Sequence, residues 1–119
     1  MTSATLAWVL DRLNHGERVA LASVVEASGS VPGKPGARMA VSNLGNRHGT
    51  IGGAGLELKV EKHLAEMLTA EYGTSRIETY VLHRDAKGKE ATALNSLCGG
   101  RVTVSLEVIE PVPHILIAG

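Results

Sequence analysis

The chain has 119 residues, 12 Lys+Arg against 12 Asp+Glu and hence a formal net charge of zero, with 44% hydrophobic and 20% charged residues. That length suits one domain burying roughly two-thirds of its unfolded surface, and the composition is globular rather than disordered. The balanced charge and 3% aromatic content (Trp8, Tyr72 and Tyr80, no Phe) argue against a basic, base-stacking nucleic-acid binder and predict an aliphatic core.

Leu6, Val9, Leu10 and Leu13 recur at helical spacing; Thr2 or Ser3 offers a cap and Gly16 lies just beyond the end. Val19 to Glu26 is rich in β-branched residues and nearly continuously apolar, which predicts a strand covered by helices on both faces. Ser28 to Gly36 is dense in Pro and Gly and reads as a long loop. Ala37 to Ser42, the Asn43–Asn46 turn and His48 to Ile51 make a hairpin. Gly52-Gly53-Ala54-Gly55 opens the longest helix, which runs to about Tyr72 on an apolar stripe of Leu56, Val60, Leu64, Met67 and Leu68, with Gly73 as its stop. Arg76 to Leu82 is a strand, His83 to Glu90 a charged loop, and Ala91 to Leu97 either a short helix or an extended segment. Arg101 to Ile109 is a strand, Pro111 and Pro113 punctuate, and Ile115 to Ala118 begins a last apolar strand. This order predicts a single α/β domain with a mixed β-sheet flanked by helices.

One cysteine, Cys98, excludes an intramolecular disulfide and a zinc site of two or more thiolates, and suits a reducing compartment. The N-terminal stretch lacks a basic leader region, and no apolar run approaches ~18 residues, so a cytoplasmic protein with no membrane span is expected.

Three places could carry chemistry. The Gly-rich step into the long helix puts amide N–H groups where an anion would bind, although Leu58 stands where a dinucleotide fingerprint needs its third glycine; the alternative is a plain tight turn. Lys34 and Arg38 flank the Pro/Gly loop as two cations suited to a phosphate, or as solvated surface groups. Cys98 precedes Gly99-Gly100 and Arg101, a setting that exposes a thiol and favours thiolate; the alternative is an inert buried cysteine. Glu57, one turn into the helix, would act on a ligand or complement the helix dipole. The five histidines fall at no metal-ligand spacing, and no acid–base pair or nucleophile with its base is identifiable.

Three ordered stretches go further: Glu26-Ala-Ser-Gly-Ser-Val-Pro-Gly-Lys-Pro-Gly-Ala-Arg-Met39, His48-Gly-Thr-Ile-Gly-Gly53 and Cys98-Gly-Gly-Arg-Val102. Together they resemble the N-terminal domain of the XdhC/CoxI family, accessory proteins of xanthine dehydrogenase and related molybdenum hydroxylases, over about Leu6 to Gly119. The resemblance implies a non-enzymatic chaperone that binds the molybdenum cofactor (molybdopterin), supports its sulfuration by a cysteine desulfurase and hands it to a xanthine dehydrogenase-like client. It implies cofactor contacts from Cys98, Gly99, Gly100, Gly52, Gly53 and Glu57, with Cys98 as a molybdenum contact; the phosphate would fall to Lys34 and Arg38. Ala54-Gly55 stands where many relatives have a second thiol. Residues 1–119 match the family's N-terminal domain, and the chain stops at the first strand of the Rossmann-like domain that typical members carry. An unpaired Ile115–Ala118 edge predicts a segment that is disordered, folds back as an edge strand, or pairs with another copy in a homodimer. Two other readings stand beside this one: a subunit of an enzyme acting on a nucleotide or other phosphorylated ligand through the Gly-rich turn, and a purely structural dimerisation module.

Overall fold

The computed structural model describes residues 3–29, 31, 34–70, 74–83 and 98–111. Helix α1 (Ser3–Asn14) leads into strand β1 (Val19–Gly29), the hairpin β2 (Arg38–Ser42) and β3 (Arg47–Thr50), helix α2 (Ala54–Leu68), and strands β4 (Ser75–His83) and β5 (Cys98–Ile109). Residues 84–90 of the predicted charged loop, Ala91–Leu97, left open between helix and extended chain, and the apolar Ile115–Ala118 lie outside the described residues.

The five strands form one sheet in the order β3-β2-β1-β5-β4, with every pairing antiparallel. This is an α/β domain, as the pattern predicts, but the sheet is not mixed. A helix between two strands suggests neighbouring parallel strands. Here the strands that α2 joins, β3 and β4, lie on opposite edges, and β5 enters between β1 and β4.

The sheet separates two apolar layers. Leu56, Val60, Leu64 and Met67 of α2 pack on Ala20, Ala22 and Val24 of β1, Met39 and Val41 of β2, and Val102, Val104 and Leu106 of β5. On the other face Val9 and Leu13 of α1 cover Val19, Leu21 and Ala40. The alternation in β1 therefore feeds both layers, and its first half is buried on both sides as its apolar run requires. The stripe of α1 is not the one its leucines suggest. Thr5, Val9 and Leu13 face inward, whereas Leu6 and Leu10 are exposed, because Trp8 turns toward the sheet instead and stacks on His48 of β3 at 5.7 Å.

Two features set the far end of the domain. Arg18 donates to both carboxylate oxygens of Glu110, at 3.0 and 3.1 Å, and to the carbonyl of Leu68 at 2.7 Å, tying the end of α2 to the start of β1. Helix α2 stops at Leu68, with Thr69 as its cap, several residues before the predicted Tyr72. The Thr69 hydroxyl turns back to the carbonyl of Glu66 at 2.7 Å and competes with continuation of the helix.

Candidate functional site

The Gly-rich step between β3 and α2 is a tight turn, with Gly52 (φ 88°) and Gly53 (φ 70°) in left-handed backbone and Gly53 as the helix cap residue. Its amides are oriented as the sequence suggests, but the chain supplies the anion itself. The Glu57 carboxylate accepts the N–H of Ile51 at 2.9 Å and of Gly52 at 3.0 Å, together with the Thr50 hydroxyl. The guanidinium of Arg47, 3.4 Å from its other oxygen, neutralises the charge. Glu57 thus fastens the turn, and the amides of Ile51 and Gly52 are already engaged. The helix start beyond them has no side-chain cap.

The glycines after Cys98 are strand rather than loop. Cys98 pairs with His83, and Gly100 pairs with both Leu82 and Gly29. A Cβ on Gly29 would lie 2.7 Å from the Cα of Gly100 and 2.9 Å from the carbonyl oxygen of Gly99. Close approach of β1 to β5 explains these glycines, so the strand begins three residues before the predicted Arg101. Cys98 is described by its backbone only.

The two Gly-rich elements meet through β4. A pocket of about 200 Å³ is lined by Gly55, Leu56 and Lys59 of α2 and by Val81 and Leu82 of β4. Leu82 lies directly beside Gly100, and one step further, past a register shift, His83 and Cys98 make the last pair at the strand end. The first turn of α2 and the Cys98-Gly-Gly strand start are therefore neighbours at one end of the sheet, separated by a single strand end. Lys59, which sequence reasoning missed, is the cation lining this pocket; its signal was the spacing of one turn from Gly55.

Arg38 is elsewhere. It pairs with Ser23 of β1, six residues before Gly29, or about 20 Å down the strand at the usual rise. Its neighbour Met39 packs under α2, so Arg38 itself projects to the α1 face, where its guanidinium lies 3.5 Å from the carbonyl of Gly36. Lys34 is exposed on the β1–β2 loop, whose Val31 packs against the core beneath α2.

Beside the pocket, His63 of α2 meets Tyr80 of β4, Nδ1 to phenol oxygen, at 2.5 Å. Burial, and then the charge of Glu78, push the Tyr80 phenol up to about 12. It stays protonated at neutral pH. Among the described residues no three His, Cys, Asp or Glu side chains converge on a metal position, and no helix is long and apolar enough to cross a membrane.

The domain is thus a small α/β fold with a recess of about 200 Å³ between the first turn of α2 and the end of β4. Its family is established by sequence. The XdhC and CoxI family model matches residues 12–81, well over half of the chain, and the protein belongs to that family. Among solved structures it is similar to a Bacillus halodurans protein described as a xanthine dehydrogenase, at 26% identity and a TM-score of 0.50, covering 89% of this chain and 30% of that one. The chain thus spans under a third of that protein's length. No curated protein matches it.

Proposed function

We propose that this domain handles the molybdenum cofactor on behalf of a xanthine dehydrogenase-type hydroxylase, receiving the molybdopterin, supporting its sulfuration by a cysteine desulfurase and passing it to the client. The reading rests on family membership and on one observation: the first turn of α2 shares a pocket with Leu82 of β4, whose ladder partner is Gly100 of the Cys98-Gly-Gly strand start. Cys98 is assigned to the molybdenum or its exchangeable sulfur, since a soft thiolate suits a soft metal centre. The phosphate end is assigned to the uncapped start of α2, with Lys59 and then Lys34 as its cations. Gly52, Gly53 and Glu57 act by shaping this turn, and Gly99 and Gly100 by letting the strands close beside it.

The size of the recess sharpens the proposal. At about 200 Å³ it is smaller than the ~300–1,000 Å³ that enclose a drug-sized ligand, so these residues grip one end of the molybdopterin and leave the rest open. An open hold suits delivery, because the client can engage the cofactor before the carrier lets go.

The test is fluorescence titration of the 119-residue chain with released molybdopterin. Binding should weaken about tenfold in Lys59→Ala and in Cys98→Ala and stay unchanged in Arg38→Ala. No binding by the unmodified chain, or unchanged binding in both former variants, overturns the assignment. No observation favours a nucleotide as the ligand over molybdopterin.

A further inference from the structure

Strand β4 closes one side of the sheet, and among the described residues no strand pairs with its outer edge. Its backbone orientation follows from one bond: the Val108 N–H donates to the Thr74 carbonyl at 2.8 Å, and the register with β5 then runs unbroken from Ser75 to Leu82. In an antiparallel ladder the N–H and C=O of one residue point to the same side, and successive residues alternate. Residues 74, 76, 78, 80 and 82 therefore turn their backbone groups to β5, while Ser75, Ile77, Thr79 and Val81 turn theirs outward. Ser75 to Leu82 contains no Pro, no Lys and no bulge, and its two charges, Arg76 and Glu78, are of opposite sign, so they match rather than repel a second copy of the same strand. Ile77, 61% exposed, and Val81, 42% exposed, sit on this strand.

We propose that the outer edge of β4 is the interface with a second copy of this chain: two β4 strands pair antiparallel about a two-fold axis at Ile77, joining two five-stranded sheets into one continuous sheet. Charge selects that register. With Ile77 on the axis, Arg76 stands opposite the partner subunit's Glu78, and Glu78 opposite the partner's Arg76. Both are non-hydrogen-bonded positions, where cross-strand side chains approach most closely. Within one chain Arg76 Nε already lies 3.2 Å from Glu78, so the axis would carry four charges of alternating sign. Moving the axis to Thr79 sets Glu78 against a tyrosine and brings the two Glu78 carboxylates onto a diagonal, losing both cross-pairs. The Ile77 side chains then meet on the open face, as an isologous contact demands. This interface does not depend on the cofactor assignment, since it uses the opposite edge of β4 from the one paired with β5.

Sedimentation equilibrium of the full chain tests it. The unmodified protein should approach twice its 12.5 kDa chain mass as concentration rises. Arg76→Glu and Glu78→Arg each set like charges face to face twice, and each should raise the dissociation constant about tenfold or more. Mixing these two variants sets opposite charges face to face again and should restore a dimer containing one chain of each. Ile77→Pro removes only an outward N–H, so it should abolish the dimer while circular dichroism and the melting profile report an intact fold. A protein that stays monomeric at several hundred micromolar, a dimer that survives Ile77→Pro, or a mixture without the mixed dimer would each overturn the proposal.

Discussion

Replacing Glu57 by Ala separates two roles that the sequence leaves entangled, ligand contact and turn support. In the structure the carboxylate accepts two backbone N–H groups, those of Ile51 at 2.9 Å and Gly52 at 3.0 Å, and its side chain is only 17% exposed. A hydrogen bond to a charged group contributes about 1.5–3 kcal/mol net. The Ile51 amide is the less hydrated of the two, while water replaces the carboxylate more readily at Gly52, so the two bonds together are worth about 2–4 kcal/mol. Unfolding entropy of roughly 2.1 cal/mol/K per residue makes each kcal/mol about 4 °C for a chain of this length, so Glu57→Ala should melt about 8–16 °C lower. Glu57→Gln keeps an acceptor but not the charge and should lose about half as much. Urea denaturation gives the free energy, and amide hydrogen exchange should show Ile51 and Gly52 losing protection before the rest of the sheet. A loss below about 0.5 kcal/mol would refute the reasoning, because two engaged amides cannot lose a charged acceptor so cheaply. Weaker molybdopterin binding at unchanged stability would return Glu57 to the ligand.

Gly49 (φ 88°) should tolerate no side chain: a Cβ there would strike the Arg38 carbonyl oxygen and lie 2.9 Å from the Thr5 hydroxyl and 3.1 Å from the Met39 Cα, so Gly49→Ala should cost about 3 kcal/mol by urea denaturation. Gly45, at φ 88° with nothing within 4 Å, should cost only about 1 kcal/mol on the same change. The Ser42 hydroxyl, then the Asn46 amide and the Arg12 guanidinium, hold the buried Glu17 carboxyl below the ordinary glutamate range. Its stabilisation is therefore complete above the unfolded glutamate value of 4.5 and lost as pH falls below it, and Glu17→Gln should flatten the acid limb of a stability–pH profile.

Element types were legible where local pattern and tertiary demand coincide. The double-sided burial of β1 follows from its unbroken apolar run, and α2 follows from the stripe Leu56, Val60, Leu64 and Met67 that packs inward. The failures have physical causes. Glycine marks a loop in sequence, yet Gly99 and Gly100 are strand because Gly29 comes against them from a residue far away in the chain. Leu6 and Leu10 look like a buried stripe until the stacking of Trp8 on His48 sets the rotation of α1. The antiparallel sheet depends on where β5 inserts, a long-range choice with no local signature. At the candidate site, the sequence brought out the two glycine-rich elements. It did not reveal that Glu57 occupies the amides of the turn, that Arg38 faces the other layer, or that Lys59 lines the recess.

The central pairing of β1 with β5 joins Val19 to Ile109, positions ninety apart in the chain. On a translating ribosome the double-sided strand β1 emerges some ninety residues ahead of the strand that completes its ladder. Until then its backbone donors and acceptors on that side have only solvent, and its alanine and valine faces lie partly bare. Closure over so long a span is slow because the chain entropy must be given up before the contacts form. This sheet is therefore committed only once β5 has emerged, and a holding chaperone acting during synthesis would protect β1 until then.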